Sequence, residues 1–266
     1  MKEGFWGNYE TGIWFQIDEH ERWLRRGNNA ERLGVPEDVI AEIPHYADRE
    51  FTGDRRRNRA SLQKIKDAYT EFTSAGCELA ICLGDLADSD KPHEKELNNL
   101  QVLAQTIHSF PVPTFCITGN HDSFAYGNEE FYRVLGGCEP RDIHAPGLDL
   151  LFLDACYFKD GRRYERGDTD WRDTFLPDVK GLEKRLAGCA GSVYIFMHQN
   201  IDPQVPEVLR LSNDAEVRDI LEKSGKVKAV YQGHHHPGHR TVWNGIEYIS
   251  LPAMCEYESA HEIIEI

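Results

Sequence analysis

"ELAICLGDLAD", residues 78–88, decides the fold. Its first half is a short apolar run closed by Gly84-Asp85, and such a run reads as a strand buried on both faces. Helical patterns lie on either side. "RASLQKIKDAYTEF" (59–72) repeats its apolar residues at helical spacing, and "HEKELNNLQVLAQTIHSF" (93–110) does the same. The alternation then continues. "PTFCITGN" (113–120) is a strand, "NEEFYRVLG" (128–136) a helix and "LDLLFLDACYF" (148–158) extended. "DVKGLEKRLAG" (178–188) is a helix weakened by Gly181, and "SVYIFMHQ" (192–199) a strand. In "NDAEVRDILEKSG" (213–225), Asn213 or Asp214 is the N-cap and Gly225 the stop. "VKAVYQG" (227–233) is a strand. The tail predicts a hairpin turning at Asn244-Gly245 and a last edge strand.

Helices alternating with apolar strands predict an α/β class, with helices covering a largely strand-built core. Residues 159–177 lack periodicity and are rich in charge, glycine and aromatics, the mark of a surface loop with a functional part. Tyr164, Asp168 and Trp171 are its candidates for lining a cleft. The first 40 residues hold three of the five tryptophans and do not share the later alternation. The expected organisation is an extension of unknown role over 1–40 and one domain over 41–266.

Bulk properties narrow the function. The 266 residues are 40% hydrophobic and 28% charged, ordinary values for a globular protein. No apolar run approaches the ~20 residues of a membrane span, and the N-terminus lacks the basic-then-apolar order of a secretory signal. Seven scattered cysteines without a C-x-x-C pair fit a reducing, cytoplasmic setting. The net charge of −15 argues against general nucleic-acid binding. It also disfavours a phosphorylated substrate unless a local positive charge, such as a metal pair, overrides it.

Four apolar runs end in residues able to hold a metal. "ELAICL" ends in Gly84-Asp85-Leu86-Ala87-Asp88, and "PTFCIT" in Gly119-Asn120-His121-Asp122. "SVYIFM" ends in His198, and "KAVYQ" in Gly233-His234-His235-His236. In α/β sheets, ligands bind beyond the carboxyl ends of strands, so four such ends can converge. Carboxylate, amide and imidazole together suit Mn, Fe or Zn. Taken singly, each has a plainer reading: Asp85 as a turn residue, His198 as a core histidine, Asp122 as a helix cap. Arg55, Arg56 and Arg57 read as a solvated face before they read as phosphate ligands. His93, His108, His144, His239 and His261 have no partner pattern and read as surface or structural.

In this order, GD-x-x-D, GNHD, a lone histidine after a strand and GH-x-H resemble the calcineurin-like metallophosphoesterases, over roughly residues 40–260. The resemblance implies a two-sheet β-sandwich flanked by helices (αββα). It also implies two divalent ions, Mn²⁺ first, and hydrolysis of a phosphoester by a hydroxide that the metal pair activates. Asp85 would bridge the ions. Asn120, His198 and His234 would hold the second ion, and His236 and His45 the first. His121 would act on the leaving group, with Asp88 orienting its ring, and His235 would point away. The substrate would be a small phosphorylated molecule, a nucleotide among the candidates.

The first motif of the family, D-x-H, has two candidates. "FQIDEH" offers Asp18-Glu19-His20. "VIAEIPHYAD" offers His45 in a better context but puts Ile43 at the aspartate position, with Glu42 one residue away. Context favours His45. Two rivals stay open. "YADREFTGDRRRNRASL" is similar to a stretch of the manganese-dependent ADP-ribose and CDP-alcohol pyrophosphatases. Ile43 admits a non-catalytic binding module with a degenerate first site.

Overall fold

The computed structural model describes the backbone of residues 4–8, 13–17, 22–26, 29–33 and 38–42, and then residues 44–265 apart from 51, 54, 90, 169 and 259. Asp18, Glu19, His20 and Ile43 lie outside the described residues, and of Glu42 the backbone alone is described. Along the chain, β1 (Gly4–Asn8), β2 (Ile13–Ile17), β3 (Arg22–Arg26) and β4 (Asn29–Leu33) form an antiparallel sheet of their own. Next come β5 (Asp38–Glu42), α1 (Asn58–Ala75), β6 (Leu79–Cys82), α2 (His93–His108) and β7 (Thr114–Cys116). The short helices α3 (Asn120–Tyr126) and α4 (Asn128–Leu135) close this half.

The second half runs β8 (Ile143–Ala145), β9 (Leu148–Leu153), α5 (Val179–Gly188), β10 (Ser192–Met197), α6 (Asp214–Ser224) and β11 (Val227–Gln232). It ends in a hairpin of β12 (His239–Trp243) and β13 (Ile246–Ser250), turning at Asn244-Gly245 as the sequence predicts, and in β14 (His261–Glu265). Strand β14 returns to the first half and pairs antiparallel with β5 at the sheet edge. One sheet therefore has the order β14-β5-β6-β7, and the other β12-β13-β11-β10-β9-β8. Pairings β5-β6, β6-β7, β9-β10, β10-β11 and β11-β13 are parallel. Strand β5 straddles the boundary expected at residues 40/41.

The apolar runs are continuous because both faces of these strands are covered. Successive side chains point to opposite sides of a strand. Ala80 and Cys82 of β6 accordingly pack with Ile65, Tyr69, Phe72, Leu100 and Leu103 from α1 and α2. Leu79 and Ile81 face the other way and meet Leu150, Phe152, Phe196, Ala229 and Tyr231 of the second sheet. On that sheet's outer face, Leu151, Val193, Ile195 and Val230 pack with Leu182 and Leu186 of α5 and Val217 and Leu221 of α6. The layers are helix, sheet, sheet, helix. Between the sheets Phe196 stacks on Phe152 at 5.4 Å and on Tyr231 at 5.2 Å, ring centre to ring centre. Burying a side chain of this kind is worth ~1.5–3 kcal/mol, so these rings hold the two halves in register.

The charged segment 159–177 is pinned rather than loose. Arg163 pairs with Asp154 at 2.5 Å and donates to Thr118 Oγ1 and Ser123 Oγ. Arg166 pairs with the buried Glu96 of α2 and donates to the carbonyl of Ala125.

Candidate metal centre

Five of the chain's strands, β5, β6, β7, β10 and β11, deliver the residues that follow them to one place because their loops are tied together. Beyond the ends of β5 and β6 the backbone pairing continues, with His45 N donating to Asp85 O (2.7 Å) and Tyr46 N to Leu86 O (2.8 Å). Across to the other sheet, His198 Nδ1 donates to Leu83 O at 2.7 Å. Asn200, fully buried, donates to Gly233 O and accepts from Ser250 Oγ, fixing the loop that carries His234. The crossing between the two loops of the first half is tight. A Cβ on Gly119 would lie 2.1 Å from Asp85 Oδ1, and one on Gly84 would lie 2.7 Å from both Gly119 N and His198 Nδ1. Only glycine fits at either position, and Gly84 also takes a φ of +92°.

Backbone strain collects at the same point. His45, Asp85 and His234 have φ of +52°, +51° and +63°, a region that non-glycine residues seldom occupy. Such residues cost of order 1–3 kcal/mol each and persist where the surroundings impose them.

The donor atoms converge on Asp85. Its Oδ2 lies 3.2 Å from His45 Nε2 and 3.2 Å from His198 Nε2, while Oδ1 accepts from His121 N at 2.8 Å. His198 Nε2 is also 3.1 Å from Asn120 Oδ1 and 3.2 Å from His234 Nδ1. The ring of His45 stands 5.0 Å from that of His121 and 4.6 Å from that of His236. His45, Asp85 and His121 form one group with ligand atoms within 4.8 Å of one another, and Asp85, His198 and His234 form another. Asp85 belongs to both. The structure thus brings together Asp85, Asn120, His121, His198, His234, His236 and His45.

These residues fit a pair of divalent ions. Nδ1 of His45 and Nε2 of His234 are buried without a hydrogen-bond partner, an arrangement that costs free energy unless a cation fills it. Burial holds the His45 imidazole down at about 3, with His236 and His121 adding to the effect against the pull of Asp85. Burial, reinforced by His198, also lowers His234 well below the usual imidazole value. Both rings are neutral and keep a lone pair for a metal. Burial would raise Asp85, but His198, His121 and His45 outweigh it, and its carboxyl lies well below the usual range. Asp85 is an anion surrounded by imidazoles.

His121 differs from its neighbours. Its side chain keeps 21% of its exposure and its Nδ1 lies 2.7 Å from Asp88 Oδ1. Burial alone would lower its pKa, but Asp85 and Asp88 outweigh burial and raise it. Asp88 is held in turn by Arg49 (2.9 Å), Arg56 (3.3 Å) and Asn58 Nδ2 (3.0 Å). Burial opposes ionisation of Asp88, yet His121, His45 and Arg56 push its carboxyl far below the usual value. Arg56 is therefore part of the site and not of a solvated face, while Arg55 and Arg57 are exposed.

Asp122 does more than cap. It accepts from Gly119 N, Leu86 N and Ala87 N, joining the loops after β6 and β7. Burial and the neighbouring Asp85 raise its carboxyl to about 7. Trp171 packs edge to face on His234 at 4.5 Å, so the segment 159–177 reaches the site through this residue. Tyr164 is buried against Phe124 and Phe158, and Asp168 pairs with Arg162. His93, His108, His144, His239 and His261 bond Glu96, Leu135 O, Asp149, Asp202 and Glu71, structural partners all. Asn58 and Asn200 escaped the sequence reading. A lone asparagine carries no spacing signal, although the residue after "MHQ" at a strand end was a place to look.

Two sheets face to face between helices, with carboxylate, amide and imidazole donors meeting at joined strand ends, define an α/β sandwich with a candidate metal centre. The calcineurin-like phosphoesterase family matches residues 44–238, and the chain belongs to that family. A protein of Psychrobacter sp. (strain PRwf-1), named probable cyclic nucleotide phosphodiesterase, is 25% identical over 66% of this chain and 52% of its own length. The chain thus spans about half of that relative. A Pseudoalteromonas sp. (strain SM9913) protein of the same description is 20% identical, over 82% of this chain and 79% of the relative. Among solved structures, a dimetal phosphatase from Danio rerio superposes with a TM-score of 0.72 at 17% identity, covering 86% of this chain and 92% of that one. A phosphopantetheinyl hydrolase from Mycobacterium tuberculosis gives 0.52 at 11% identity, covering 84% and 92%. At these identities the structural likeness speaks for the fold.

Proposed function

We propose that the chain hydrolyses a phosphoester of a small molecule, with two divalent ions at the site around Asp85. The observation that carries this reading is the position of one carboxylate oxygen 3.2 Å from two imidazole nitrogens, beside buried nitrogens that have no partner. His45 and His236 would hold one ion, Asn120, His198 and His234 the other, and Asp85 both. Divalent ions in such a pair neutralise the phosphoryl oxygens and acidify water for attack on phosphorus. The mixture of one carboxylate, one amide and several imidazoles suits Mn, Fe or Zn, with manganese the first to try.

The chain's own residues supply the rest. With Nδ1 held by Asp88, His121 carries a proton on Nε2 and passes it to the departing oxygen. Arg49, Arg56 and Asn58 keep the Asp88 carboxylate in place, so the His121 ring has one orientation. Trp171, which packs on His234, would offer an aromatic surface to the part of the substrate beyond the phosphate. The names of the two bacterial relatives make a cyclic nucleotide or another phosphodiester the first substrate class to try. Seven cysteines scattered along the chain and buried in the fold support a reducing, cytoplasmic setting. Residues 41–266, together with the part of β5 that precedes them, would form the catalytic domain, with the residues before β5 as an appendage.

The test is Mn²⁺-dependent hydrolysis of bis-p-nitrophenyl phosphate and of cyclic AMP by the wild-type chain and by Asp85→Asn. Turnover that requires added metal and collapses in the variant supports the reading. A folded, metal-loaded wild type no faster than Asp85→Asn on either substrate would overturn it and leave a binding module.

A further inference from the structure

Three histidines at the site have an acceptor at Nδ1. His198 donates to Leu83 O at 2.7 Å, His121 lies 2.7 Å from Asp88 Oδ1, and His236 lies 2.6 Å from Glu256 Oε1. A ring whose Nδ1–H is committed in this way turns Nε2 outward, and the partner fixes the ring plane. That Nε2 bears a lone pair when the ring is neutral, as a metal ligand must be, and a proton when it is charged, as the acid role of His121 requires. The carbonyl of Leu83 and the carboxylate of Asp88 are accounted for by the site already described. Glu256 is not.

Glu256 sits in the turn after β13 and has no part in the strand pairing. The backbone places it with care: Ala253 N donates to His236 O at 3.0 Å, and Glu256 N donates to Ala253 O at 3.0 Å. The loop carrying His236 and the turn carrying Glu256 are thus joined through main chain as well as side chain. Both side chains are largely shielded, at 14% and 12% exposure, so water competes weakly for the bond between them. Arg56 stands between two such pairs, with Nη1 at 3.3 Å from Asp88 Oδ1 and Nε at 3.9 Å from Glu256 Oε1. One guanidinium therefore braces the carboxylate behind His121 and the carboxylate behind His236.

We propose that Glu256 is the positioning residue of His236. Its carboxylate accepts the Nδ1 proton, fixes the ring with Nε2 toward the His45 side of the centre, and raises the basicity with which His236 takes its ion. The proposal rests on the reading of His236 as a metal ligand. It is a role toward one ion of the pair, since His236 packs against His45 at 4.6 Å while His198 and His234 pair with each other.

The test is calorimetric titration of the metal-stripped full chain with Mn²⁺ alone. The wild type should show two binding events. Glu256→Gln keeps the shape and loses the charge, and one event should weaken ~10–100-fold while the other stays within about twofold. Both ions should still bind at saturation. Glu256→Asp, which shortens the reach, should weaken the same event. Melting of the stripped variants monitors the fold, and a general structural defect would weaken both events together and overturn the proposal. His236→Ala separates the two readings. If it leaves both events intact, His236 is not a ligand, and the proposal falls with that reading. If it abolishes one event while both Glu256 variants bind as the wild type does, the positioning role alone is overturned. If Glu256→Gln fails to take up one ion even at saturation, Glu256 is itself a ligand and the positioning role is again overturned.

Discussion

Gly119→Ala is a methyl-sized perturbation with a calculable consequence. The backbone at Gly119 is extended, with φ −95° and ψ −177°, so alanine meets no conformational penalty there. The whole effect must come from contact. The new Cβ would lie 2.1 Å from Asp85 Oδ1 and 2.4 Å from Asp85 N, where 3.0 Å is the least that real contacts show. Asp85 must therefore retreat by about 0.9 Å, and its bond from His121 N at 2.8 Å must stretch or break. Overpacking of this kind costs ~1–3 kcal/mol of stability. A misplacement near 1 Å at a reacting centre costs ~10²-fold in rate. The assay is guanidinium unfolding of the stripped protein together with Mn²⁺-dependent turnover of bis-p-nitrophenyl phosphate. Gly188→Ala is the control, because a Cβ there meets nothing within 4 Å at the end of α5. It should be neutral or stabilising by up to ~1 kcal/mol. A Gly119→Ala protein with unchanged midpoint and unchanged turnover would refute the account of how the two loops meet.

Other outcomes follow from the same structure. Phe196→Ala empties the space between the sheets and should cost ~3–5 kcal/mol in denaturant titration, with m unchanged. His121→Ala should lower kcat ~10²–10⁴-fold while leaving Mn²⁺ binding near the wild-type value, measured by turnover and calorimetry side by side. Asp122 gives a pH effect of defined sign in the stripped protein. Its carboxyl is raised in the fold to about 7 from the ordinary 3.8, so its contribution is present below about 4 and is lost as pH rises toward 7. Relative to Asp122→Asn, the wild type should therefore lose stability between pH 4 and 7, and parallel curves for the two proteins would contradict this.

The elements were legible where both periodicity and punctuation were present. The strands at 78–85, 192–199 and 227–233 and the helices at 59–72 and 93–110 appear within a few residues of their expected places, because apolar runs and helical spacing report burial directly. The candidate site was legible as a set of metal donors at strand ends, a pattern no core requires, and the fold brings those donors together. The sequence was silent where function depends on tertiary approach. Arg56 read as one of three surface arginines, yet it braces Asp88 and lies near Glu256, a contact across 200 positions of chain that no local spacing encodes. Asn58 and Asn200 were missed for the same reason. The helix at Asn120–Tyr126 was also missed, since "NHDSFAY" offers one turn of weak pattern and its start is fixed by Asp122 bonding back to Gly119.

Asp85 and Asn120 come from the first sheet, and His198 and His234 from the second. An ion held between them would act as a reversible cross-link between two layers that otherwise meet through apolar packing and the bond from His198 to Leu83 O. Its contribution grows with free ion concentration as RT ln(1 + [L]/Kd), about 2.7 kcal/mol at a hundredfold excess over Kd. The mechanical coherence of the sandwich would then track the availability of the ion in its surroundings. Starvation for metal would loosen the joint between the layers as well as silence the chemistry, and the first sign would be hydrogen exchange along β6 and β10.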